Sequence, residues 1–106
     1  MSDDGGGALQ GFQKIYLKGK AHSLQPVVLV GDSGLSDSVI AAVNRALEDH
    51  ELIKVRMRQP EDKKAMAAEL ASRTGSELCG LVGHTVILYR RHPKKPKIHL
   101  PKKPGS

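Results

Sequence analysis

The sequence predicts a small α/β sandwich with a mixed four-stranded sheet. Three observations predict it. Segments of helical spacing alternate with short apolar or alternating runs. A strand–helix–strand unit implies a right-handed parallel crossover. The last two strands meet at a tight turn, which favours antiparallel pairing. The expected order is helix, strand, helix, strand, helix, strand, strand, and 106 residues suffice for one domain of this kind.

Residues 1–7 are acidic and glycine-rich and read as a disordered N-terminus. From Leu9 onward, Leu9, Phe12, Ile15, Tyr16 and Gly19 recur at helical spacing, with Lys14 and Lys18 one turn apart on another face. Pro26 opens Val27-Val28-Leu29-Val30, a continuous apolar run expected to be a strand buried on both faces. Gly31-Asp32-Ser33-Gly34 is a turn, and Ser36 is placed to cap the next helix, with Asp37 in its first turn. Leu35 and Ile40 can form a hydrophobic staple across that cap. Val39, Ile40, Val43 and Leu47 mark one face of a helix ending near His50.

Leu52 to Gln59 alternates: Ile53, Val55 and Met57 point one way, Lys54, Arg56 and Arg58 the other. Pro60-Glu61-Asp62 begins a third helix, whose apolar side is Met66, Ala67, Leu70 and Ala71 and whose C-terminal cap is Gly75. Leu78 to Val82 and Thr85 to Tyr89 are two further strands joined at Gly83-His84. The domain is expected over residues 8–91, followed by a basic Pro/Lys-rich tail over residues 92–106.

Composition narrows the function. Apolar residues make up 39% and charged residues 26%, ordinary for a soluble globular chain. Aromatics are only 3%, namely Phe12, Tyr16 and Tyr89, so the core is aliphatic and RNA binding through several stacking aromatics is excluded. No apolar run approaches the ~20 residues of a membrane span. The first residues do not resemble a signal peptide. A single cysteine, Cys79, allows neither an internal disulfide nor a cysteine-based zinc site, so a cytoplasmic protein is expected.

The net charge is +6 and its distribution is uneven. Arg90, Arg91, Lys94, Lys95, Lys97, Lys102 and Lys103 account for seven of the seventeen basic residues. The ten that remain face all eleven acids, so residues 1–89 are close to neutral. A basic end on a near-neutral body suggests a polyanionic partner. The alternative is a tail that only confers solubility. Four prolines there exclude an amphipathic membrane helix.

Catalytic constellations are absent from the pattern. None of His22, His50, His84, His92 and His99 pairs at the helical spacing of a zinc site, and there is neither a nucleophile elbow nor a Walker loop. Glu48, Asp49 and Glu51 read as a solvated patch at a helix end, and Cys79 as a small core residue. Gly31-Asp32-Ser33-Gly34 reads equally as a phosphate loop or an ordinary turn, with the Asp32 carboxylate opposed to a phosphate unless it points away. Gly80-Leu81-Val82-Gly83 has the same spacing but lies in a strand. Lys54, Arg56 and Arg58 present charges about 6.6–6.8 Å apart along a strand, suited to a phosphate backbone or to a solvent face. With Lys14, Lys18 and the basic end they favour nucleic acid.

The run Lys18-Gly19-Lys20-Ala21-His22-Ser23-Leu24-Gln25-Pro26-Val27-Val28-Leu29-Val30-Gly31-Asp32-Ser33-Gly34-Leu35-Ser36 resembles the opening of the YhbY-like, single CRM-domain proteins of bacteria. So do Ala46-Leu47-Glu48-Asp49-His50-Glu51-Leu52-Ile53-Lys54-Val55 and Val82-Gly83-His84-Thr85-Val86-Ile87-Leu88-Tyr89-Arg90-Arg91, and Lys97-Ile98-His99-Leu100-Pro101 resembles the family ending. The resemblance implies an RNA-binding module with a fold similar to the C-terminal domain of translation initiation factor three. It also implies association with precursors of the large ribosomal subunit. The family's G-x-x-G loop falls on Gly31, Asp32, Ser33 and Gly34, with the acid at Asp32 a departure from a residue suited to phosphate.

The expectation is therefore a non-enzymatic, cytoplasmic, monomeric ribosome assembly factor docking on structured ribosomal RNA. No metal, cofactor, membrane or small-molecule substrate is expected. The expected RNA contacts are Gly31, Asp32, Ser33, Gly34, Lys14, Lys18, Lys20, Lys54, Arg56, Arg58, Arg90 and Arg91. Two alternatives stand beside it. One is a protein-binding adaptor whose basic tail grips an acidic partner; the other is a small hydrolase using His84 or Cys79.

Overall fold

The computed structural model describes residues 9–102. The expected disordered segment 1–7 and the last four residues lie outside them. The element order is α1 (Gly11–Ala21), β1 (Pro26–Val30), α2 (Asp37–His50), β2 (Leu52–Met57), α3 (Lys63–Thr74), β3 (Glu77–Val82) and β4 (Thr85–Tyr89). The sheet order is β1-β2-β4-β3, with β1 and β2 parallel and the other neighbours antiparallel. The predicted mixed four-stranded α/β architecture is thus the observed one.

Local chemistry sets the helix ends. The Ser36 hydroxyl accepts from the Val39 N–H at 3.3 Å, and the Asp62 carboxylate accepts from Ala65 N–H at 3.1 Å. Each satisfies a donor that a helix start leaves unpaired. Gly75 ends α3 at φ +63, the left-handed conformation in which glycine carries no Cβ penalty.

The two faces of the sheet carry separate cores. Ile53, Val55 and Met57 of β2 pack with Val43 and Leu47 of α2 and Leu70 of α3. On the other face, Leu17 and Ala21 of α1 pack with Leu52, Cys79, Ile87 and Tyr89. Helix α1 contacts β3, β2 and β4 and stops short of covering β1. That corrects the expectation of a strand buried on both faces. Val28 and Val30 point into the first core, but Val27 is 50% and Leu29 56% exposed. β1 is an edge strand with one open face.

The C-terminal segment also differs from expectation. It is no appendage after a boundary at Arg91: Ile98 and Leu100 pack onto the second core beside Leu9. The anchor is Glu51, which the sequence places in a solvated acidic patch but which is completely buried. Its Oε2 accepts from the His92 N–H at 2.7 Å, and its Oε1 accepts from the Lys97 and Ile98 N–H groups at 2.8 Å each. Burial opposes ionisation of this carboxyl. The backbone donors and nearby His92 outweigh it and hold the Glu51 pKa below its ordinary 4.5.

Removing a buried acceptor shared by three backbone donors leaves them unpaired, so Glu51→Ala is expected to destabilise the protein by about 3 kcal/mol. Because the folded pKa is depressed, the carboxylate's contribution is fully present above the ordinary value of 4.5 and is lost as the pH falls through the lower folded value. Thermal melts between pH 7 and 3 should fall more steeply for the native chain than for Glu51→Gln. Parallel curves would remove Glu51 from the acid response.

Candidate nucleic-acid interface

The two helical layers differ in charge: one is basic and the other balanced. Helix α1 contains Lys14, Lys18 and Lys20 and no acid. Helices α2 and α3 balance four acids, Asp37, Glu48, Asp49 and Glu69, against four bases, Arg45, Lys63, Lys64 and Arg73, and Arg73 lies 3.5 Å from Glu69 and 4.0 Å from Asp37. The α1 side is therefore the surface that attracts a polyanion.

Within that side, α1 distributes its lysines by helical period. Lys14 and Lys18 lie one turn apart on one flank. The Lys18 stem rests against Gly80 of β3: a Cβ there would stand 3.2 Å from Lys18 Cδ, so the glycine lets the lysine lie close on the sheet. Lys20 lies on the opposite flank, with its ammonium 5.9 Å from the centroid of the Tyr16 ring.

On β2, the three alternating cations have different employment. The Lys54 ammonium donates to the His22 and Leu24 carbonyls at 3.3 and 3.1 Å and ties down the connection between α1 and β1. Arg56 is exposed. Arg58 is exposed just beyond the strand, and its N–H donates to the Val30 carbonyl at 2.9 Å, which seats it beside the start of the glycine loop.

The loop itself is a tight turn in which Gly34 N–H donates to the Gly31 carbonyl at 3.0 Å. Asp32 and Ser33 are exposed at its tip. Gly34 has φ +70, whereas Gly31 has neither a positive φ nor any atom within 4 Å of a notional Cβ. Behind the loop, the Ser36 cap already occupies one of the free N–H groups of α2, and Asp37 adds a negative charge. The loop thus offers an anion its backbone at the tip rather than a bare helix terminus.

Arg90 and Arg91 lie at the other end of the sheet. The Arg90 guanidinium donates to Asn44 Oδ1 at 2.8 Å, to the Thr74 carbonyl at 2.7 Å and to the Asn44 carbonyl at 3.1 Å. It clamps α2 to the end of α3 on the far layer, while Arg91 is exposed. The structure brings Arg56, Arg58 and the glycine loop to one open end of the sheet, with Lys18 one row behind on β3, and leaves Lys14 half-buried near Cys79, toward the C-terminal segment. It places Lys20, Arg90 and Arg91 elsewhere and gives Lys54 a structural bond. Sequence reasoning missed the exposure of Leu29 and Val82 on this same side, 56% and 54%. An unbroken apolar run carries no signal of which face is open.

The nucleophile candidates have no such setting. Burial pushes the Cys79 thiol up to about 11, with Lys14 lowering and Glu77 raising it to lesser extents, so the thiol is protonated at neutral pH. His84 is exposed in the β3–β4 turn. Among the described residues, no group of three or more His, Cys, Asp or Glu side chains could hold a metal ion.

The two loop glycines are separable. Gly34→Ala is expected to cost about 1 kcal/mol, because alanine is strained at positive φ, and Gly31→Ala to leave stability within about 0.5 kcal/mol. Urea unfolding of the two variants checks this; equal losses would contradict it.

A model of the CRS1 / YhbY (CRM) domain matches residues 9–90. A protein of Pseudomonas aeruginosa, named a probable RNA-binding protein, is 40% identical over 92 residues, 85% of this chain and 88% of its own. Another with that description, YqeI of Bacillus subtilis, is 40% identical over 95 residues, covering 88% and 99%. Among solved structures, a Staphylococcus aureus protein of proposed RNA-binding function superposes with a TM-score of 0.77 at 36% identity, over 88% of this chain and 99% of that one. With the fold, the loop and the matched span in agreement, this chain belongs to the CRS1 / YhbY (CRM) domain family.

Proposed function

We propose that this protein binds structured RNA through the open end of its α1 side and acts in the cytoplasm, as a monomer, on precursors of the large ribosomal subunit. The observation that carries the RNA reading is the acid-free helix α1, with Lys18 against β3, on the same side of the sheet as exposed Arg56, while exposed Arg58 bonds to Val30 just ahead of the Gly31–Gly34 loop. Relatives named as RNA-binding support the same partner class. The ribosomal assignment rests on the resemblance of residues 18–36, 46–55 and 82–91 to bacterial single-domain members. Nothing in the geometry asks for a reaction. Phosphate contacts would fix register and orientation, and the shape of the RNA would supply selectivity.

Lys14, Lys18, Arg56 and Arg58 imply a log–log salt slope of about −3 to −4 on duplex RNA, by the measure set for B-DNA. Arg56→Glu with Arg58→Glu should make the slope shallower by about 2 and leave folding intact, since both side chains are exposed. Fluorescence anisotropy with a labelled RNA hairpin at several salt concentrations measures this. An unchanged slope in the folded double variant would sink this face. Sedimentation of the tagged protein in cell extracts tests the assignment further. Comigration with large-subunit precursors is expected, and exclusive sedimentation with free protein would overturn it.

A further inference from the structure

The open end of the sheet carries a feature that phosphate binding does not require. Leu29 of β1 is in register with Arg56 of β2, Arg56 with Thr85 of β4, and Thr85 with Val82 of β3. These four residues form one row across all four strands, on the side that α1 occupies one row further along. Leu29 is 56% and Val82 54% exposed, Arg56 is exposed and Thr85 half-buried. Scattered exposed apolar side chains are ordinary. Here they share one row, bracket a guanidinium, and have no acid among them. A plain solvent face on an α/β sheet would carry polar residues at both positions.

The row suits a particular occupant. Strands about 4.8 Å apart give it a width of about 14 Å. Four-stranded RNA-binding sheets of that width hold about two or three bases. A nucleobase has an apolar face that aliphatic side chains can cover, and a planar guanidinium stacks on such faces. Thr85 supplies a hydroxyl at mid-row for a base edge or a ribose 2′-OH. Lys18 lies over the neighbouring row, against Gly80, within reach of a strand crossing here. An uncharged or basic protein segment would find the apolar contacts but not a use for the cations.

We infer that the Leu29–Arg56–Thr85–Val82 row is a base-binding platform for about two or three unpaired RNA nucleotides. Leu29 and Val82 lie beneath the bases, Arg56 stacks between them, and Lys18 meets the backbone. This rests on the RNA-docking reading above and adds that the protein prefers RNA carrying a single-stranded loop over a plain duplex.

The test compares two labelled RNA probes: a hairpin of ten base pairs with an eight-nucleotide loop, and the ten-pair duplex alone. The protein variant is Leu29→Ser with Val82→Ser, checked for folding by circular dichroism. Loss of two base contacts should weaken loop-hairpin binding about tenfold or more while leaving duplex affinity and the salt slope unchanged. Leu29→Phe should tighten loop binding several-fold, because an aromatic ring stacks better than an aliphatic chain. Unchanged loop affinity in the serine variant, with loss in Arg56→Glu/Arg58→Glu, overturns the platform and leaves phosphate docking standing. Unchanged affinity in both variants overturns both. Normal RNA binding by the serine variant with loss of a copurifying protein assigns the row to a protein partner, which also overturns the platform.

Discussion

The carboxylate of Glu51 is the constraint on which the rest of the molecule depends. It is the single residue between α2, ending at His50, and β2, beginning at Leu52. To reverse the chain in that space it adopts φ +65, a conformation that costs an ordinary residue of order 1–3 kcal/mol. Every polar group on it is engaged. Its N–H donates to the Leu47 carbonyl, its carbonyl accepts from the Arg90 N–H, and its two oxygens hold the His92, Lys97 and Ile98 amides. One residue thus joins α2, β2, the end of β4 and the C-terminal segment. The unfavourable burial of a charge is offset because the partners are fixed backbone donors.

That junction decides where the protein can be open. The segment it holds lays Ile98 and Leu100 against the second core, and the Gln13 amide donates to the Pro101 carbonyl at 3.4 Å at the start of α1. One end of the α1 side is thereby closed by chain. The opposite end, where β1 and β2 finish and the β3–β4 turn lies, has no such cover over Leu29 and Val82. Arg56 and Arg58 stand exposed at the open end, while Lys54 and Arg90, nearer the closed one, are drawn into backbone carbonyls. Formal charge therefore overstates what a ligand meets: cations bonded to backbone carbonyls position elements, and the others make the field.

The parts legible in sequence are those whose pattern is local. The alternation of Ile53, Val55 and Met57 with Lys54, Arg56 and Arg58 reads directly, because charge interrupts hydrophobicity at period two. The caps at Ser36 and Gly75 are visible for the same reason. β1 is not legible in this way. Val27 to Val30 are all apolar, so only the placement of α1 decides that alternate residues are exposed. Glu51 is invisible as an anchor because its donors lie 41 to 47 residues away. Ile98 and Leu100 are hidden by the lysines and prolines around them, whose composition resembles an unstructured tail.

The candidate site shows the same division more sharply. Lys18 and Gly80 are 62 positions apart in number, and neither has meaning alone. The Gly80-Leu81-Val82-Gly83 spacing imitates the loop at Gly31–Gly34, yet the residue that matters there is Gly80 as bare strand surface beneath a lysine stem. An alanine Cβ at that point would press on Lys18 Cδ at 3.2 Å and on Ile87 Cδ1 at 3.4 Å. Either the lysine stem would lift or α1 would shift outward, and both movements change where the ammonium stands relative to the open row. The glycine thus sets the height of the basic flank above the sheet. A side chain missing from a strand, rather than one present in a motif, fixes the depth of the surface offered to RNA.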